Sequence, residues 1–125
     1  MIVRNASEII PVDWGNGTSR RYLTKADDMG FTVTDTVVKA GTSSPLRYKN
    51  HLEACYCYAG SGKVIDTEGN EFPIVPGTIY ALDQHDAHHL VASDHEDLRL
   101  VCVFTPALHG HEVHDLSKAD GFSNY

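Results

Sequence analysis

Three groups of side chains in this 125-residue sequence have types and spacings suited to chemistry. The first is the string His85-Asp86-Ala87-His88-His89. Neutral imidazole is the commonest protein metal ligand, and any of His85, His88 and His89 could bring one ring to a site. The second is Glu112 among His109, His111 and His114, which reads either as a metal-ligating cluster or as a polar chain end. The third is sulfur: Cys55 and Cys57 as C-x-C, and Cys102. C-x-C invites a metal reading. However, both cysteines lie on one face of an apolar run, and Cys102 alternates with Val101 and Val103. Packed small side chains are therefore the stronger expectation. An odd number of cysteines argues against a disulfide framework and for reduced thiols, as in the cytoplasm.

These groups must be positioned by a single domain, expected over 1–125, since a chain of this length buries about two-thirds of its unfolded surface. Ten Lys and Arg against seventeen Asp and Glu give a net charge of −7. That balance argues against nucleic acid and anionic membranes, though a local Arg can still hold an anionic substrate. No apolar run approaches a membrane span, and Met1 to Ile10 has no secretory h-region. Gly-, Pro- and Asp-rich punctuation falls every eight to twelve residues. Between these breaks lie short β-rich runs: Phe31 to Val38, Leu52 to Tyr58, Lys63 to Ile65, Thr78 to Leu82, Leu90 to Ala92 and Leu98 to Phe104. Only Ser7 to Ile10 hints at a helical turn. The spacing predicts an all-β sandwich or barrel whose mouth can hold a ligand.

The glycines carry a more specific pattern, which resembles the cupins, small jelly-roll barrels with two spaced motifs. From Gly41, five residues lead to Arg47-Tyr48-Lys49, where cupins have H-x-H, then to Glu53 and Gly60. From Gly69, five residues lead to Val75-Pro76-Gly77 and then to Tyr80, where cupins have a third histidine. The spacing leaves two readings open. In one, the barrel has no metal. In the other, Glu53 and Tyr80 remain as oxygen donors and a histidine arrives from the string after Tyr80. Carboxylate, phenolate and imidazole suit Fe²⁺, with Zn²⁺ or Mn²⁺ as substitutes.

A second resemblance is closer. Asn50 to Cys57, Gly77 to Asp83, Leu100 to Phe104, Met1 to Asn5 and Gly110 to Asp115 resemble the ectoine synthases in one register over nearly the whole chain. That resemblance implies an iron-dependent cupin with Glu53, Tyr80 and His88 as ligands. It implies ring closure of N-γ-acetyl-L-2,4-diaminobutyrate by its own α-amine with loss of water. It further implies Tyr48, Glu112 and His114 in proton handling, and Ser19, Arg21, Thr36, Cys102 and Phe104 around the substrate. Arg21 would grip the α-carboxylate as a bidentate fork. A homodimer and a lid formed by the segment 106–125 are also expected. The chain departs from the family at Gly17, where a tryptophan is usual, and Trp14 lies three residues earlier. This departure keeps other readings in view: a non-catalytic small-molecule binder, a related cupin enzyme with an altered substrate, or the reverse hydrolysis.

Overall fold

The computed structural model describes residues 1–114 and Leu116. Asp115 and residues 117–125, which include most of the tail after the expected lid's first half, lie outside the described residues. Ten strands form among the described residues: β1 (Val12–Asp13), β2 (Gly17–Leu23), β3 (Thr32–Val38), β4 (Ser43–Leu46), β5 (Leu52–Ala59), β6 (Gly62–Ile65), β7 (Glu71–Ile74), β8 (Ile79–Leu82), β9 (His88–Ala92) and β10 (Leu98–Thr105). They pair antiparallel in two sheets, ordered β1-β2-β3-β10-β5-β8 and β4-β9-β6-β7. The all-β expectation holds. The hinted helical turn is a 3₁₀ turn over Ala6–Glu8, capped by the Asn5 side chain and closed by Glu8 on the Asn5 N–H.

The strands form where alternation is strict. β10 sends Leu98, Leu100, Cys102 and Phe104 inward and every intervening residue outward. β5 does the same with Glu53, Cys55 and Cys57. At the end of the barrel where Val38 pairs with Leu98, the filling is apolar: Val38, Leu98, Leu100, Ile74 and Cys57 are all almost fully buried. Truncating one of these leucines to alanine would cost about 2–5 kcal/mol.

Toward the other end the inward positions turn polar. Register places Arg21 opposite Thr34, Thr34 opposite Cys102, Cys102 opposite Cys55, and Cys55 opposite Tyr80. One cross-strand row thus carries Arg21, Thr34, Cys102, Cys55 and Tyr80 over five strands. The adjacent row holds Phe104, Glu53 and Leu82.

Four strands have no apolar-run signal in the sequence. β4 and β7 contain Pro45 and Pro73, which the sheet tolerates because both strands are edges of the four-stranded sheet. β1 has only two residues. β2 reads Gly-Thr-Ser-Arg-Arg-Tyr-Leu; of its inward residues Gly17 lies beside Val38 toward the apolar end, and Ser19 and Arg21 face the polar end of the lumen. The segment 106–114 packs back on the barrel: Leu108 is fully buried, its N–H bonded to Thr32 Oγ1 at 2.8 Å and its carbonyl to the Lys25 N–H at 2.7 Å.

Candidate functional site

The polar end of the lumen holds a partly open cavity of about 30 Å³, room for one or two water-sized groups, so a larger ligand must widen it. Ser19, Arg21, Thr36, Tyr48, Glu53, Tyr80, Cys102, Phe104 and His114 line it, joined by Trp14, Cys55, Leu46, Leu90 and Leu100. Its wall therefore draws on both sheets and on the chain after β10. His88 is not among the residues that line the cavity; with Tyr80 it lines a neighbouring pocket, its ring centroid 6.3 Å from Tyr48 and 6.4 Å from Tyr80.

Strand phase decides among the histidines of the 85–89 string. β9 begins at His88, which points inward and is 3 % exposed, while His89 points out. His85 sits in the preceding turn with φ 55°, and its Nδ1–H donates to the Tyr48 carbonyl at 2.8 Å. It holds the backbone of the cavity wall rather than the cavity itself. His88 Nδ1–H donates to the Asp86 carbonyl at 2.9 Å, which fixes the tautomer and leaves Nε2 as the acceptor. That Nε2 is buried with no hydrogen-bond partner. A bare imidazole lone pair, its other nitrogen held by a carbonyl, is the arrangement of a metal-ligating histidine. Phase also shows why the H-x-H spacing fails here: Arg47 and Lys49 face outward, whereas Leu46 and Tyr48 between and before them face the lumen.

Glu53 is the hub of the opposite wall. Burial pushes its carboxyl up to about 7, against hydrogen bonds from Cys55, Cys102 and Tyr48 that favour the charged form. Burial, and then the neighbouring Cys55, Glu53 and Cys102 charges, push the Tyr80 phenol well above its usual value. A cation between these groups would reverse both effects. Carboxylate, phenol and bare imidazole together fit a divalent ion of intermediate hardness.

At the other end of the row lies the Arg21 guanidinium. It donates from Nε to Ser19 Oγ at 3.2 Å and from Nη2 to the Glu112 carbonyl at 2.7 Å. Its Nη1 is buried without a partner. Ser19, Thr36 and Thr34 continue from it as a chain of hydroxyls, 3.4 and 2.8 Å apart.

His114 closes the cavity from above. Its N–H donates to the Trp14 carbonyl at 3.1 Å, its ring meets Trp14 edge-on at 5.5 Å, and its Nε2 lies 3.4 Å from the Tyr48 hydroxyl. Burial first, then the Arg21 charge and the nearby His88, push its pKa down to about 3. At neutral pH it is an uncharged base.

Glu112 does not line the cavity. Its carboxylate accepts the backbone N–H groups of His109, Gly110 and His111 at 2.8–3.0 Å. Burial acts upward on this group, but the N–H groups of Gly110, His109 and Glu112 itself, with Arg21, outweigh it and bring it down to about 2. A carboxylate so committed shapes the loop that delivers His114. The histidines around it do not assemble a metal cluster among the described residues; the one such group is Glu53, Cys55 and Cys102.

These two shifts make the unfolded chain the better proton binder in acid, so their share of stability falls as pH falls, while Glu53, raised to about 7, acts in the opposite sense between its ordinary 4.5 and about 7. His114 contributes above its ordinary 6.5 and loses that contribution down toward about 3. Glu112 contributes above 4.5 and loses its share down toward about 2. Glu112→Gln should remove the lower window and cost about 1–2 kcal/mol at neutral pH, as three N–H groups lose a charged acceptor. Urea denaturation across this range measures it, and an unchanged acid limb in the variant would refute the assignment.

Cys55, Leu46, Leu90 and Leu100 are the cavity residues that sequence reasoning did not place there, while Trp14, the nearest aromatic to position 17, does line it. Trp14 lies across the β1–β2 turn from Gly17, its N–H bonded to the Gly17 carbonyl and its indole N–H to the Val37 carbonyl, both at 3.1 Å. A Cβ at Gly17 would fall 1.8 Å from the Val37 carbonyl oxygen. The chain therefore presents its aromatic from position 14, and position 17 must be bare.

A sequence profile described as ectoine synthase matches residues 1–122. An L-ectoine synthase of Desulfatibacillum aliphaticivorans is 50 % identical over 122 residues, covering 92 % of each chain. The crystal structure of ectoine synthase from P. lautus superposes with a TM-score of 0.82 at 45 % identity, covering 88 % of this chain and 81 % of that one. A cupin 2 conserved barrel protein from Salinispora arenicola, at 18 % identity and a TM-score of 0.68 over 84 % and 88 % of the two chains, shares the barrel.

Proposed function

From the chain's membership of the ectoine synthase family, whose members are hydro-lyases, we propose that it closes N-γ-acetyl-L-2,4-diaminobutyrate into the cyclic amidine ectoine with loss of water. The observation that carries this reading is the two-ended cavity. A buried guanidinium N–H without a partner stands at one end of a cross-strand row, and at the other end are the Glu53 carboxyl and the Tyr80 phenol, with the His88 ring 6.4 Å from that of Tyr80.

Arg21, with Ser19 and Thr36 beside it, binds the α-carboxylate. Ring closure needs a neutral α-amine, hence a base. His114 is neutral and linked to Tyr48, so a proton leaving the amine can pass through the Tyr48 hydroxyl to the imidazole. Arg21's charge helps hold His114's basicity down. A substrate carboxylate on Arg21 cancels it, so binding itself strengthens the base. Phe104 and Trp14 supply apolar walls that fold the flexible substrate toward its near-attack shape. Cys102 lies between the two ends. Glu112 acts by positioning His114 and Arg21. Glu53, Tyr80 and His88 would hold Fe²⁺, with Zn²⁺ or Mn²⁺ as substitutes. A bound ion there supplies Lewis-acid polarisation of the acetamide oxygen.

The proposal extends to a cytoplasmic homodimer. No described helix is long and apolar enough to cross a membrane. Exposed Tyr56, Val101 and Val103 lie on the outer face of the six-stranded sheet, Tyr56 directly opposite Val101, a surface suited to a second copy of the chain.

Turnover of the acetylated diamino acid by anaerobically purified protein, with and without added Fe²⁺, tests the reading by chromatography of the cyclic product. Iron-dependent product is expected. Stoichiometric iron with no product would overturn the substrate assignment, and turnover equal with and without iron would overturn the ion.

A further inference from the structure

The mechanism leaves two thiols unused. Cys55 and Cys102 face each other directly across β5 and β10, and are 1 % and 2 % exposed. Both are free. One sulfur from each and a carboxylate oxygen of Glu53 all lie within 4.8 Å of one another. Tyr80 stands opposite Cys55 across β5 and β8 and lines the same cavity.

Two sulfurs bound to one tetrahedral Zn²⁺ at about 2.3 Å stand roughly 3.8 Å apart, so this trio needs only a small closing movement to share an ion. Two thiolates and one carboxylate make a softer donor set than carboxylate, phenolate and imidazole, and softness selects thiophilic cations. The set also lies in the floor of the six-stranded sheet, whereas His88 belongs to the opposite sheet.

We propose that Cys55, Cys102 and Glu53 form a second metal site, for a thiophilic divalent cation of the Zn²⁺ or Cd²⁺ class. Tyr80 or water takes the fourth position. Binding releases both thiol protons. Glu53 would serve both sets, so occupancy here excludes the harder ion. That competition, unlike the site itself, rests on Glu53 serving Fe²⁺ as proposed above. The soft ion leaves His88 unligated and so is an inhibitor of the family reaction.

The test is anaerobic titration of the metal-free full chain with Co²⁺ and with Cd²⁺, following thiolate-to-metal charge transfer in the near ultraviolet. One equivalent of thiolate-bound ion is expected. Cys55→Ser and Cys102→Ser should each weaken Cd²⁺ binding by at least roughly 100-fold, the upper range for losing even an outer-shell partner. Cys55→Val and Cys102→Ala give the same comparison should the serine variants fold poorly, with circular dichroism as the control. His88→Ala should keep the thiolate band. A band absent from the parent chain, or unchanged by the cysteine substitutions, would overturn the site; its loss in His88→Ala would show one merged site instead. Failure of the iron reading is separate, since it shows as unaltered Fe²⁺ retention in His88→Ala.

Discussion

His88→Ala is expected to lose Fe²⁺ on gel filtration and to lower turnover by roughly 1,000-fold, about 4 kcal/mol of transition-state stabilisation. The expectation rests on the contrast between its two nitrogens. Nδ1 is committed to the Asp86 carbonyl, and Nε2 is buried with nothing to bond. A buried acceptor left bare costs about 1–3 kcal/mol, and a folded chain retains that cost only where another demand sets it. Removing the ring should therefore leave the barrel as stable as before in the absence of metal, or more stable. His89→Ala, one residue away on the outer face, should retain full iron and activity. His85→Ala should keep iron and lose some activity through the Tyr48 backbone that it braces. Atomic absorption on the three variants separates them. Iron retained at parental stoichiometry in His88→Ala would remove His88 from the site.

Arg21→Gln is expected to raise KM by roughly 100-fold, about 3 kcal/mol of lost charge-assisted binding. The guanidinium spends two donors on Ser19 and the Glu112 carbonyl and keeps one for a ligand. Lysine cannot divide itself in this way, so Arg21→Lys should fall near Arg21→Gln rather than near the parent. The same substitution removes a charge that depresses His114. The acid limb of kcat/KM should therefore move to higher pH in Arg21→Gln, an effect that loss of carboxylate contact alone would not produce. A parental KM with an unmoved acid limb would show that Arg21 serves only to hold the Glu112 loop.

Legibility in the sequence followed the division between core and site. β5 and β10 could be read because their inward residues are apolar or small, and alternation marks them. Glu53 and Tyr80 could be found because glycine spacing fixes their places in the barrel. β2 could not, because its inward residues are Gly17, Ser19 and Arg21: the demands of the cavity erased the pattern that announces a strand. Among the histidines, only the start of β9 separates His88 from His89, and boundaries are what composition specifies least. Cys55 was read as packing because burial was foreseeable and its alignment with Cys102 and Tyr80 was not; cross-strand register is a property of pairs. Glu112 was assigned to proton handling by position alone, and the three N–H groups that claim it come from a loop with no sequence signature for that turn.

The aromatic at position 14 and the bare glycine at 17 are joined through one carbonyl. Val37's oxygen accepts the Trp14 indole N–H and stands where any Cβ at 17 would fall. A side chain at 17 must displace the β3 backbone there, and with it the acceptor that holds the indole. The two positions therefore act as one unit, and the effects of changing both should be far from additive.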